Sequence, residues 1–231
     1  MMGSLPLTTM NSPHSQCKPP ARRGLETLWR PLTTFPLPTC TPLPEASYPS
    51  PKFVLSAGSV LFRTHPATHA LQLCTLQNTR ARSPATRWIL PKGRKDQFES
   101  MESAAVRETF EETGYPCELY AVTLETRAPA PGVNLGPYKV LEARASTEPF
   151  YMTVRMMKEG SVKTIWWYVA WVRGNDAEKV EGVAMSNEEG YVSEFQDIPD
   201  ALEIYKGTKF EGIVVKAVEL ITNTLQEKST D

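Results

Sequence analysis

Apolar residues of this 231-residue chain recur in short runs from residue 53 onward. Five runs, bounded by proline, glycine or polar residues, have the length and flanks typical of β-strands. They cover residues 53–63, 70–76, 87–90, 118–126 and 163–173. The last run holds three tryptophans and a tyrosine and is the most β-prone part of the chain, so we expect it to be a central strand.

Two further segments predict helices. Residues 101–113 lack proline and glycine and are followed by Gly114, a typical helix terminator. In residues 211–224 the apolar positions recur at the spacing of an amphipathic helix. Strands that alternate with helices predict one α/β domain, which we place at residues 51–231.

The first 50 residues differ from the rest in composition. Of the 20 prolines in the chain, 11 lie within the first 51 residues, and no apolar period is sustained there. We therefore predict a disordered tail over residues 1–50. Its few acidic residues leave organellar targeting open, although its prolines disfavour the amphipathic helix of a transit peptide; the expected location is the cytoplasm or nucleus.

Composition excludes several classes of protein. The four cysteines include no Cys-x-x-Cys pair, which argues against zinc knuckles and favours a reduced intracellular protein. All three histidines lie in the first third of the chain, which argues against a Ser-His-Asp triad or a His-rich zinc site within the main domain. A net charge of −1 argues against nucleic acid as a partner, and no apolar run approaches the length that spans a membrane.

Three glutamates carry the clearest chemical signal. Glu108, Glu111 and Glu112 stand at positions i, i+3 and i+4, so a helix over 101–113 projects all three carboxylates from one face. Taken alone, such a triplet is typical of a solvated acidic face. Here a glycine-containing turn precedes the helix, Arg107 stands directly before the first glutamate, and Gly114 ends the helix. This arrangement favours a site for a divalent cation and a phosphate chain.

The stretch resembles the signature of the Nudix hydrolases, Gly-x5-Glu-x7-Arg-Glu-U-x-Glu-Glu-x-Gly-U, in which U is a bulky aliphatic residue. All seven fixed positions match at the right spacing: Gly93, Glu99, Arg107, Glu108, Glu111, Glu112 and Gly114. Thr109 and Tyr115 replace the two aliphatic residues, which raises a question about core packing rather than catalysis. The resemblance implies an α/β/α sandwich with a mixed sheet between helices.

The resemblance also implies a metal-dependent pyrophosphohydrolase that acts on a small-molecule phosphoanhydride. Glu108, Glu111 and Glu112 would bind Mg²⁺ or Mn²⁺, helped by the backbone carbonyl of Lys92. Glu99 and Arg107 would pair to hold the preceding loop against the helix. The general base would come from the signature or from a glutamate outside it, for which the candidates are Glu188, Glu189 and Glu194; we take Glu189, and each is equally compatible with a solvated loop.

Residues 88–93, Trp-Ile-Leu-Pro-Lys-Gly, resemble the segment before the signature in diadenosine and diphosphoinositol polyphosphate hydrolases and, less closely, in mRNA-decapping enzymes. Four nearby cations suit a substrate rich in phosphate: Arg87, Lys92, Arg94 and Lys95. Alternatively, Arg94 and Lys95 are solvated and partly offset by Asp96. Aromatic residues between 138 and 171 could stack on a purine, but alternation along a strand places most of those in 166–171 in the core.

Two classes of function therefore stay open. The first is a pyrophosphohydrolase, and the second is a non-catalytic nucleotide-binding or interaction module on the same fold. The intact set of glutamates favours the hydrolase. An mRNA-decapping activity is less favoured, because the C-terminal residues 217–231 are short and mixed in charge rather than basic.

We expect deletion of residues 1–50 to leave the Tm of the protein nearly unchanged, because that segment lacks an apolar face that could join the core. Thermal unfolding followed by circular dichroism, with hydrolysis rates measured in parallel, tests this. A fall in Tm of more than about 5 °C would show that the segment contributes to the stability of the domain.

Overall fold

A computed structural model describes residues 45–136, 138–174, 178–183 and 190–230 of the protein. Residues 1–44, which make up most of the predicted tail, lie outside these ranges. The compact unit begins at Ala46, a few residues before the predicted boundary. Within residues 46–50 the Tyr48 hydroxyl lies 3.9 Å from the sulfur of Met156. The domain boundary after residue 50 stays a prediction.

Within the described residues the chain forms ten strands and three α-helices. The strands are β1 (Phe53–Thr64), β2 (Leu71–Asn78), β3 (Trp88–Ile89), β4 (Lys92–Arg94), β5 (Cys117–Leu119), β6 (Val122–Thr126), β7 (Leu141–Ser146), β8 (Tyr151–Met156), β9 (Val162–Val172) and β10 (Tyr191–Asp197). The helices are α1 (Met101–Thr113), α2 (Ile198–Tyr205) and α3 (Glu211–Thr230). None of the helices in these ranges is long and apolar enough to cross a bilayer.

The sheet is organised around two long parallel strands, β1 and β9. They pair from Phe53 beside Val162 to Phe62 beside Trp171. On the far side of β1 lie β2 and then β10, both antiparallel to their neighbours, and β4 pairs with the first half of β1. On the far side of β9, β8 pairs with its first half and β5 with its end. The predicted central position of residues 163–173 is therefore confirmed.

Helices cover both faces of this sheet. Neighbouring residues of β9 point to opposite faces. Tyr168 packs with Ala104 and Ala105 of α1, whereas Trp167 lies in the main core together with Val214 and its neighbours in α3. The structure is thus an α/β/α sandwich with a mixed sheet between helices, as predicted.

Local sequence signals fix the ends of α1. The Ser100 hydroxyl accepts a hydrogen bond from the Ser103 amide at 3.1 Å, which caps the N-terminus. Gly114 adopts a left-handed φ of 80°, and its amide donates to the Phe110 carbonyl. The helix predicted over residues 101–113 is confirmed to the residue.

One predicted strand is divided differently in the structure. Residues 118–126 were expected to form a single strand, but β5 pairs with β9 in the main sheet while β6 pairs with β7 in a separate two-stranded sheet. The division arises because the two halves pair with different strands: β6 pairs with β7, the next strand along the chain, whereas β5 pairs with the more distant β9. The C-terminal helix also continues beyond residue 224, to Thr230.

Tyr205 joins α2 to the sheet through a buried hydroxyl, which donates to the Ile89 carbonyl at 2.7 Å. Replacement of Tyr205 by Phe leaves that carbonyl without this donor, so we expect the free energy of unfolding to fall by about 1–3 kcal/mol. Urea unfolding measures the change. Tyr138→Phe is the matched control because Tyr138 is exposed; equal stability of the two variants would contradict a role for the buried hydrogen bond.

Candidate active site

The site forms where α1 lies against β4. Gly93 pairs with Ala57 of β1, and residues 95–100 lead from the end of β4 into the helix. The Lys92 amide donates to Oε2 of Glu112 at 3.0 Å. A Cβ at position 93 would overlap the carboxylate of Glu108. Glycine is therefore required here because the helix carboxylates press directly on the strand.

Arg107 organises the carboxylates around it. Its Nε and Nη2 donate to both oxygens of Glu99 at 2.8 and 2.9 Å. Its Nη1 donates to Glu108 at 2.8 Å and to Glu111 at 2.9 Å, and Nη2 also donates to the Arg94 carbonyl at 2.9 Å. All five N–H groups of the guanidinium are thus used, which a lysine could not reproduce.

These contacts shift the pKa values of both Glu99 and Arg107. The hydrogen bonds from Arg107 hold the pKa of Glu99 below its ordinary value, and burial opposes this. The hydrogen bonds to Glu99 raise the pKa of Arg107, again against burial. The predicted pair of Glu99 and Arg107 is present, and it fixes the loop between β4 and α1 because the Glu99 carboxylate also accepts from the Asp96 amide.

The glutamates of α1 differ in exposure. Glu108 and Glu112 are each 7% exposed, and the side chain of Glu111 is 19% exposed. As placed, no three acidic, histidine or cysteine side chains among the described residues converge on one point that could hold a metal ion. Glu108 and Glu111 share the Arg107 cation, and Glu112 accepts from Lys92. A shared ion would therefore require these carboxylates to turn partly away from those donors.

The donor set nevertheless fits a hard divalent cation. Its ligands would be carboxylate oxygens on successive turns of one helix, which is the chemistry that Mg²⁺ and Mn²⁺ prefer. The contact between Gly93 and Glu108 keeps the sheet side of this helix face free of any intervening side chain. The assignment of Glu108, Glu111, Glu112 and the Lys92 carbonyl as ligands stays a proposal.

Thr109 and Tyr115, which replace the two aliphatic residues of the signature, each have a specific partner. The buried Thr109 hydroxyl donates to the Ala105 carbonyl at 2.6 Å, so the Ser59 hydroxyl, also at 2.6 Å, must donate to Thr109. Tyr115 packs edge-on against Phe195 with ring centroids 4.8 Å apart. A threonine and a tyrosine are accommodated here because β1 supplies a hydroxyl and β10 supplies an aromatic ring.

The four cations predicted to bind substrate do not lie together. Lys92 and Arg94 pair with Gly58 and Ser56 and share a sheet face with Lys163 of β9. The amine of Lys95 instead donates to the Asp96 carbonyl at 2.8 Å. Arg87 is exposed, and its carbonyl accepts from the Asn78 amide on the β2 side of β1.

Sequence analysis missed three cations on that face, Arg155, Lys163 and Lys209. Burial lowers the pKa of Lys163, and the charges of Lys92, Arg155 and Arg94 lower it further, while Glu108 raises it. Burial and the charges of Arg155 and Lys92 likewise lower the pKa of Lys209. These residues come from β8, β9 and the turn before α3, so no local motif identifies them.

Other candidates are placed as follows. Glu188 and Glu189 lie outside the described residues. Glu194 is exposed in β10 and accepts from Gln196 at 3.4 Å. Trp167 and Tyr168 are buried in the core as expected. Tyr138 and Tyr151 are exposed, so stacking on a purine remains open only for such surface residues.

A family model described as the NUDIX domain matches residues 52–196. The chain belongs to the Nudix family. This match confirms the prediction that the chain is a Nudix hydrolase. It also assigns the chain to the pyrophosphohydrolases of this family. No curated protein matches the sequence.

Several solved structures are similar to this Nudix protein. An Ap4A hydrolase from C. elegans has 18% sequence identity and a TM-score of 0.44, covering 72% of this chain and 96% of its own. A NUDIX hydrolase from Nitrosomonas europaea has 13% identity and a TM-score of 0.43, covering 73% and 87%. A NUDIX family hydrolase from Clostridium perfringens has 16% identity and a TM-score of 0.43, covering 71% and 93%.

We expect Arg107→Met to lower the free energy of unfolding at pH 7 by roughly 3 kcal/mol or more, because three partly buried carboxylates lose their shared cation. The folded-state pKa of Glu99 is lowered, so its stabilising contribution is present above the ordinary carboxyl pKa and lost as the pH falls through the lowered value. The difference between wild type and variant should therefore shrink as the pH falls from 7 to 3.

Urea unfolding at several pH values measures this difference. Arg144→Met is the control, since Arg144 contacts Glu142 at 3.0 Å on an exposed surface and should show a small effect. If Arg107→Met does not fold, Arg107→Lys gives the same comparison with the charge retained. A stability difference that does not vary with pH would contradict the role assigned to the pair.

Proposed function

We propose that this Nudix protein hydrolyses a pyrophosphate bond with Mg²⁺ or Mn²⁺ bound by Glu108, Glu111 and Glu112 and by the Lys92 carbonyl. The observation that supports this most strongly is the approach of α1 to β4, where Glu108 meets Gly93 and Glu112 meets the Lys92 amide. A solvated acidic face would not be held against a strand. Two of the three carboxylates are nearly buried instead.

The chain's own residues have separate tasks in this proposal. When bound, the divalent cation would neutralise phosphate oxygens and favour ionisation of a water molecule. Arg107 orients Glu108 and Glu111 and keeps the loop after β4 in place. Lys92 and Arg94 flank Gly93, which meets Glu108, and their side chains would offer positive charge to phosphate oxygens of the substrate from the opposite face of the sheet.

A general base is also required to take the proton from the attacking water. Among the three signature glutamates, Glu111 is the most exposed, and it contacts Arg107 through one oxygen. Glu189 is the candidate outside the signature. A Gln substitution at Glu189 separates the two: if Glu189 is the base, the substitution removes the acidic limb of the pH–rate profile while divalent-cation binding by the signature glutamates persists.

We favour a substrate rich in phosphate, a diadenosine polyphosphate or a diphosphoinositol polyphosphate. Residues 88–93 resemble the corresponding segment of those hydrolases, and the cations beside Glu108 suit several phosphate groups. A non-catalytic nucleotide-binding or interaction module is the alternative. The complete set of Glu108, Glu111 and Glu112, held in place by Arg107, favours catalysis.

We expect Glu112→Gln to lower kcat by at least about two to three orders of magnitude, because it removes one formal charge from the proposed metal site while its size is kept. The remaining oxygen can still accept from the Lys92 amide, so the fold should survive. The assay is phosphate release with Mg²⁺ or Mn²⁺ over dinucleoside polyphosphates, inositol pyrophosphates, nucleotide sugars and nucleoside triphosphates.

Glu102→Gln is the matched control, since Glu102 is exposed in the first turn of the same helix. It should retain the activity of the wild type. Equal activity of Glu112→Gln and wild type would refute the metal assignment, and no hydrolysis by the wild type over the whole panel would favour the binding module.

A further inference from the structure

A set of cations lies on the sheet face that packs against α3, opposite the face covered by α1. Arg155 of β8 pairs directly with Lys163 of β9, and Lys163 pairs with Val54 of β1. Along β1, alternate residues Ser56 and Gly58 pair with Arg94 and Lys92 of β4. Residues that face each other on paired strands point to the same side. Arg155, Lys163, Arg94 and Lys92 therefore share one face.

The turn between α2 and α3 adds Lys209 to the same face. Phe210 packs edge-on against Trp167, which shares that face with Lys163, at a centroid distance of 5.9 Å. A Cβ added at Gly212, at the start of α3, would lie within contact distance of the Tyr151 hydroxyl from β8. The amine of Lys209 lies 4.9 Å from the Phe210 ring. Lys209 is thus held at the edge of the sheet face that carries Arg155 and Lys163.

These cations have no acidic partner of their own. Within the described ranges of the chain, no ion pair involves the side chains of Lys92, Arg94, Arg155, Lys163 or Lys209. Arg155 and Lys209 are exposed, so neither is required for core packing. An anion bound between these cations would relieve their mutual repulsion.

We propose that Arg155, Lys163 and Lys209 form a second anion subsite, which binds phosphate groups beyond the two joined by the bond that is cleaved. We call these three residues the distal cations. The inference rests on the proposed function, in which Lys92 and Arg94 serve the cleaved bond. It assigns the protein to substrates with clustered phosphate groups rather than to nucleotide sugars or simple diphosphates.

The position of the distal cations explains this division of roles. Lys163 lies between the two groups of charges, because β8 with Arg155 pairs on one side of β9 and β1, which carries β4 with Lys92 and Arg94, pairs on the other. The proposed divalent cation together with Lys92 and Arg94 would suffice to neutralise an anion with two phosphate groups. A longer or more highly phosphorylated anion would extend over β9 toward β8 and the turn before α3.

Isothermal titration calorimetry in EDTA tests the subsite without hydrolysis or metal. The probes are inorganic tripolyphosphate, pyrophosphate and inositol hexakisphosphate, with the full chain as wild type and as the triple variant Arg155→Met, Lys163→Met and Lys209→Met. We expect the triple variant to bind tripolyphosphate or inositol hexakisphosphate about tenfold more weakly or worse, with pyrophosphate affected less than about threefold and the difference reduced by salt.

Which of the two larger probes responds more strongly distinguishes a linear phosphate chain from phosphates arranged on a ring. The matched control removes three exposed cations in loops elsewhere, through Arg82→Met, Arg127→Met and Lys139→Met. If the triple variant does not fold, the double variant of the exposed residues Arg155 and Lys209 replaces it.

An equal loss of affinity in the control, or for pyrophosphate and tripolyphosphate alike, would overturn the proposal. So would tighter binding of a single-stranded RNA oligonucleotide than of any small probe, with loss in the triple variant. Binding of the probes by a wild type that hydrolyses nothing would leave the subsite established and refute only the proposed reaction.

Discussion

The arrangement of the site depends on the five hydrogen bonds of a single guanidinium. Three carboxylates cannot lie this close together in a half-buried position without a counter-charge. Arg107 supplies it, and the planar fork of donors also fixes where each carboxylate lies. The bond from Nη2 to the Arg94 carbonyl ties this network to β4. The position of the strand and the position of the helix are therefore set by one side chain.

The long parallel pairing of β1 and β9 supplies the complementary half of the site. β1 carries β4 on one side, and β9 carries β8 on the other, so cations from three strands meet on one face. The pKa of Lys163 responds to the charge of Glu108 as well as to its cationic neighbours, so the negative and positive groups of the site interact through this residue. A divalent cation on one side and phosphate oxygens on the other would complete both halves.

The sequence predicted the helix over 101–113 and its stop at Gly114, and the resemblance implied the pair of Glu99 with Arg107, because all of those residues lie within 22 positions of one another. The cap at Ser100, the stop at Gly114 and the pair of Glu99 with Arg107 depend only on local spacing. The division of residues 118–126 between two sheets could not be predicted, since it depends on partners at β7 and β9. The same holds for Thr109, whose partner Ser59 lies 50 residues away.

The two halves of the site differ in how their charge is balanced. The carboxylates of α1 have Arg107 within the fold, so their repulsion is largely relieved before any ligand arrives. The cations on the sheet face have no such partner among the described residues, and Lys163 is partly withdrawn from water. A metal cation bound among the carboxylates would replace their existing contacts with Arg107. An anion bound on the sheet face would instead give the cations there a counter-charge that no described residue supplies through an ion pair. The uncompensated charge of this sheet face is therefore positive, and a bound phosphate group would balance it.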